Sequence, residues 1–163
     1  MPYPILTKIE GVPSYEDIKI LNDELTSNAV TVTTNLGGGL VGYARLTLTE
    51  GVYANICPHP WVPPDNPGIQ AAIPAGSTGP QITALNRAFD KNFAIYADFI
   101  AVGNALKKQL LAAVEDIYIY ALKPPYVLYG NVTVLQLLTH LYATYARITP
   151  GDLEKNNLLM TKS

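Results

Sequence analysis

The stretch TGPQITALNRAFDKNFAIYADFI, Thr78 to Ile100, decides the fold class. Thr78 and Gln81 stand in the T-x-x-Q spacing of a capping box, in which each side chain takes up a backbone N–H of the other residue. Ile82, Leu85, Phe89, Phe93, Tyr96 and Ile100 then recur every three or four residues, the apolar face of an amphipathic helix. Asp98 interrupts the apolar run and falls on the polar side. Gly103-Asn104 reads as a break, and a second stripe follows through Leu106, Leu110, Val114, Ile117 and Ala121, stopped by Pro124-Pro125. Thr133 with Gln136 forms another capping box, opening Leu135, Leu138, Leu141, Tyr142 and Tyr145. Thr149-Pro150 places a cap and then proline at the first helical position, which predicts a last helix to about Met160.

Upstream the pattern changes. Ser14 is suited to cap a helix whose first turn carries Glu16 and Asp17 and whose apolar positions are Ile18, Leu21 and Leu25. Val30-Thr31-Val32-Thr33-Thr34 is β-branched and alternating, Asn35 to Gly39 is a glycine-rich turn, and Leu40 to Thr49 resumes β character. These predict a small N-terminal β-hairpin. Thr49 caps a short helix through Ile56. Cys57 to Pro80 holds seven prolines, too many for a helix or a central strand and too long for an ordinary connection. The expected fold is therefore mainly α, a helical bundle with a small hairpin and a long Pro/Gly-rich loop. Residues 1–56 carry the first helix and hairpin, 57–80 the loop and 81–163 the helical region, all parts of one domain.

Among the 163 residues, 48% are hydrophobic and only 15% charged, so the chain can bury a core and much of its surface is neutral or apolar. The net charge is −2 and the eleven Lys and Arg are scattered, which gives no basic footprint for nucleic acid. No apolar run approaches the ~20 residues of a membrane span. The N-terminus lacks the pattern of a signal peptide, and a single cysteine, Cys57, allows no internal disulfide. An intracellular, cytoplasmic protein is expected.

Cys57-Pro58-His59 offers two metal ligands and His140 a third, short of the four that a zinc site uses, and His140 reads better as a histidine at the edge of the core. Asn35 to Gly39 lacks the Lys-Ser/Thr of a phosphate loop. Asn131-Val132-Thr133 is formally a glycosylation sequon but opens a helix. Glu115 and Asp116 are neighbours that point about 100° apart on a helix, not a carboxylate pair. No catalytic residue, cofactor, metal or small-molecule substrate is expected.

Four segments together carry a family resemblance: NALKKQLLAAV from Asn104, YGNVT from Tyr129, LQLLTHLYATY from Leu135 and ITPGDL from Ile148. With Asn35 to Thr49 and Pro63 to Pro80, this order resembles the Gag polyprotein of Copia-type LTR retrotransposons, in the version of algae and diatoms. The resemblance implies a capsid-type N-terminal helical domain that assembles with copies of itself into particles or filaments. The second helical domain and the Cys/His knuckle usual in that family are not within this stretch, so RNA binding is expected to be weak. The alternative is an adaptor that binds a protein partner through the loop, because Pro-rich segments present extended backbone. Tyr53, Trp61, Val62, Asp65, Ile69 and Ile73 are the candidate interface residues on either reading. The charge balance leads to one expectation for a filter-binding assay. Single-stranded RNA should be retained only weakly and released by moderate salt, whereas salt-resistant sub-micromolar binding would contradict it.

Overall fold

A computed structural model describes residues 1–146. The described residues are mainly helical and contain no strand. Four α-helices follow in order: α1 Tyr15–Val30, α2 Glu50–Ile56, α3 Gly79–Ala113 and α4 Val134–Tyr145. Each begins at a Ser or Thr cap. Ser14, Thr78 and Thr133 form full capping boxes with Asp17, Gln81 and Gln136, and Thr49 accepts from Val52 N. The final helix expected from Thr149 lies outside the described residues.

The core lies where α1, α4 and the C-terminal third of α3 meet. Ile18, Leu21 and Leu25 of α1, Leu106 and Leu110 of α3, and Leu137, Leu138 and Leu141 of α4 are all fully buried. Each contributes about 1.5–3 kcal/mol relative to leaving it in water.

The N-terminal segment is strapped over this core by polar groups as well as by Leu6 and Ile9, which are buried. Asn28 accepts from Tyr3 N (2.8 Å) and donates to Tyr3 O (2.7 Å) and to Gln109 Oε1 (2.9 Å). Buried Glu24 accepts from the Thr7 amide (2.9 Å) and hydroxyl (3.0 Å).

Three sequence expectations are corrected. First, the segment from Val30 to Thr49 forms no hairpin. α1 runs through Val30, and its last carbonyls accept the N–H groups that strands would have paired: Ala29 O receives Tyr43 N at 2.9 Å and Val32 N at 3.3 Å. Ala44–Leu46 is a turn of 3-10 helix, and the Thr47 hydroxyl bonds to Ala44 O and the Thr26 hydroxyl. Second, Gly103-Asn104 does not break α3. A mid-helix glycine costs about 1 kcal/mol, which the burial of Val102 and Leu106 on either side outweighs. Third, the second stripe does not continue as a helix to Ala121. The Ile9 amide takes the Ala113 carbonyl (2.8 Å) that Ile117 N would need, and two short 3-10 turns, Asp116–Tyr118 and Tyr120–Leu122, replace the helix.

The strap makes Asn28 a sensitive position. Asn28→Ala leaves both Tyr3 backbone groups and the Gln109 amide without their partner. It should lower stability by about 2–4 kcal/mol in a urea titration. A loss below about 1 kcal/mol would show that these bonds do not hold the segment in place.

Candidate functional site

The candidate interface residues lie on α2 and the loop that follows it, so their surroundings were traced from α2 outward. Tyr53 faces inward from α2 and is buried. Its hydroxyl lies directly against Gly37, where an added Cβ would collide with it, and Trp61 closes on the same glycine. A Cβ on Gly38, whose φ is +79°, would fall 2.6 Å from the His59 ring. The triple-glycine turn is thus a lid laid flat over Tyr53, His59 and Trp61, and Val62 N fastens it by donating to Leu36 O (3.1 Å). Trp61 is half-buried and joins this layer to the helices through ring contacts with Tyr43, Tyr53 and Phe99.

Cys57, at the C-terminal cap of α2, is buried and directs its thiol to Gly37 O (3.4 Å) and His59 O (3.5 Å). The Tyr53 hydroxyl has this sulfur as a neighbour, but the thiol's bonds go to those two carbonyls. The hydroxyl is left buried without a formed hydrogen bond. Burial pushes the Tyr53 phenol up to about 12, the Cys57 thiol adds to the effect, and Arg45 opposes it.

A cleft of about 520 Å³ opens beside these groups, lined by Arg45, Glu50, Tyr53, Cys57, His59 and Trp61. Its groups do not form a reaction centre. The Tyr53 hydroxyl is turned into packed protein, the Cys57 thiol is engaged with carbonyls, and Arg45 donates to Leu48 O at 2.7 Å. Elsewhere His140 bonds through Nε2 to Tyr118 O (3.1 Å), at the edge of the core. Among the described residues no group of three or more His, Cys, Asp or Glu stands close enough to hold a metal ion. No helix there is long and apolar enough to cross a membrane.

The loop therefore places its candidates in two environments. Tyr53 and Trp61 belong to the packed layer, while Val62, Asp65, Ile69 and Ile73 are exposed. Ile69 is 97% exposed. The loop returns alongside the first half of α3, where Gln70 Nε2 donates to Asn86 Oδ1 (2.8 Å) and Pro74 to Ser77 stand against Gln81 and Leu85.

Two further apolar surfaces escaped the sequence reading. On α3, Leu85, Phe93 and Ile100 of the leading stripe are 44%, 51% and 39% exposed, although the pattern marked them for burial. At the corner after α3, Ile117, Tyr120, Tyr126, Val127 and Leu128 are exposed. Here Val127 N donates to Pro125 O (2.8 Å) across Tyr126, whose φ is +69°, a γ-turn of the rare kind. Leu128 follows at φ +53°. Lys107 steadies the corner by donating to the carbonyls of Tyr129 (2.9 Å) and Gly130 (3.2 Å), and the Tyr129 hydroxyl donates to Asp116 (2.7 Å). Amphipathic spacing shows that a face needs covering. It does not show whether the same chain covers it.

Comparison with known protein families, characterised proteins and solved structures finds no match to this chain.

The packing at Gly37 and the Tyr53 phenol can be tested together. Gly37→Ala should destabilise the fold by about 1–3 kcal/mol through overpacking, and Tyr53→Phe on the same background should restore part of that loss. Tyr53→Phe alone removes an unbonded hydroxyl and should be near neutral. Because the folded phenol titrates above its ordinary value of 10, its neutral form stabilises the fold fully below pH 10. That contribution is lost as the pH rises towards 12. Thermal melts between pH 9 and 12 should fall less steeply for Tyr53→Phe than for the wild type. Equal slopes would mean that this phenol ionises alike in both states.

Proposed function

We propose that this chain is a structural, non-enzymatic protein of the Gag, capsid-like kind whose work is to associate with copies of itself. The observation that carries the reading is the amount of apolar surface on a chain with only 15% charged residues. Large apolar side chains stand exposed along α3, on the loop and at the corner from Ile117 to Leu128. Contiguous apolar surface of this kind marks sites of protein association. The resemblance to Copia-type Gag supports the same reading, with α1, α3 and α4 as the capsid-type bundle and the cytoplasm as the place of action. Repeated contacts between copies give a closed or an open assembly, according to whether the rotation between neighbours closes.

A second reading, an adaptor for another protein, is favoured by one feature. Val62, Asp65 and Ile69 are exposed on an irregular segment that is held at both ends, by the Val62 amide on Leu36 and by Gln70 on Asn86. Such a segment presents side chains to a partner with part of its ordering cost already met. Neither reading calls for a cofactor, a membrane or a small-molecule substrate.

Sedimentation velocity over a concentration series, with negative-stain microscopy of the same samples, separates the two. Self-association predicts a rising average mass and regular particles or filaments, and a monomer at the highest attainable concentration would remove that reading. Deleting Asp65 to Ser77 should leave the bundle core intact, with a melting temperature within a few degrees of the wild type, since a loss of ~1 kcal/mol shifts a domain of this size by about 2–8 °C. Lost assembly in that variant would place the loop at the contact, and unchanged assembly would exclude it.

A further inference from the structure

We propose that the leading half of α3 pairs with the same half of a second copy, helix against helix about a two-fold axis, through Ile82, Leu85, Phe89, Phe93, Tyr96 and Ile100. This rests on the self-association reading and names the surface that performs it.

α3 has 35 residues and so is about 52 Å long. Its buried residues, Val102, Leu106, Leu110 and Ala113, all lie in the last third. About 34 Å of helix before them has no fully buried side chain. A helix in water is marginal without an apolar face packed against something. The loop supplies only a partial cover: Ile82, Phe89 and Tyr96 are half-buried, while Leu85, Phe93 and Ile100 stay open.

The spacing of the stripe shows what shape of partner fits. Ile82 and Phe93, Leu85 and Tyr96, and Phe89 and Ile100 are each eleven residues apart. Eleven residues make three turns of about 3.67 residues, so the ridge runs nearly straight along the helix. Its complement is another straight apolar ridge about 27 Å long. The charges point to a second copy as the owner of that ridge. Between Gln81 and Ala101 the only charged residues are Arg87, Asp90, Lys91 and Asp98, two of each sign. At about 100° per residue, Arg87, Lys91 and Asp98 fall on the side of the helix away from the stripe, and Asp90 falls at its margin. Two copies therefore meet on a neutral surface without opposing like charges, and the ridge offers nothing to attract a charged partner.

The size of the face sets the strength. Its exposed portions amount to a few hundred Å² per copy, below the ~800 Å² per partner of a standard stable interface. The contact should be weak and reversible alone, and firm only where a second contact on the same molecule adds to it.

The test uses the full chain with Phe93→Asp, examined by sedimentation over a concentration series. Phe93 is half open to solvent, so its melting temperature should stay close to the wild type while self-association weakens at least tenfold. A second measurement does not depend on how well that variant folds. On a Cys57→Ser background, Phe89→Cys and Phe93→Cys are crosslinked with a short bifunctional maleimide, with Lys91→Cys as the control on the far face. Covalent dimers from a stripe cysteine, and none from Lys91→Cys, are expected. Wild-type association that persists in Phe93→Asp, or crosslinking no better on the stripe than at Lys91→Cys, would overturn the pairing while leaving self-association standing. A wild type that stays monomeric throughout would overturn both.

Discussion

Asn28 lies without solvent exposure where α1, α3 and the N-terminal segment cross, and its amide must find partners there or destabilise the fold. It finds three, two on the Tyr3 backbone and one on Gln109. The pair on Tyr3 copies what a neighbouring strand would offer, one donor and one acceptor on the same residue. That places the segment in a single register, with Leu6 and Ile9 turned into the core. Ile9 in turn takes the Ala113 carbonyl, so the position of the first residues determines where the longest helix stops. The two 3-10 turns, the corner at Tyr126 and the start of α4 all follow from that end point.

A second layer depends on the absence of side chains. Gly37 and Gly38 lie flat against Tyr53 and His59, and Trp61 passes this contact on to Phe99 of α3. The glycine turn, the proline loop and the long helix are thereby one packed unit, although no regular element joins the first two. Cys57 and His59, a conceivable ligand pair by spacing, are part of this packing.

What was legible in the sequence was mostly local. A hydroxyl followed three residues later by a side chain that returns to the cap is a short-range device, so Thr49, Thr78 and Thr133 marked three helix starts correctly and Ser14 the fourth. The misreadings all involve distant partners. Val30 to Thr34 has the β-branched alternation of a strand, but Tyr43 reaches the end of α1 before any strand pairing forms. Gly103 carries the usual mark of a helix break and is overruled by the core on both sides of it. Nothing near Ala113 announces that Ile9 will arrive. The candidate site divides in the same way. Proline content located the exposed loop residues, whereas the burial of Tyr53 required the glycine turn to fold over it, and the open face of α3 depends on an absence that no pattern records.

The passage of α3 through Gly103 without interruption has a mechanical side. One end of the helix is clamped by α1 and α4, and the other stands about 34 Å beyond the clamp as a single rod. A tilt of a few degrees at the clamp, within reach of ordinary side-chain repacking around Leu106 and Leu110, is magnified along the arm to a displacement of ångströms at Thr78. The same rigidity works in reverse: a load applied at the tip is delivered as torque to the crossing at Gln109 and Asn28, where the first residues of the chain are fastened.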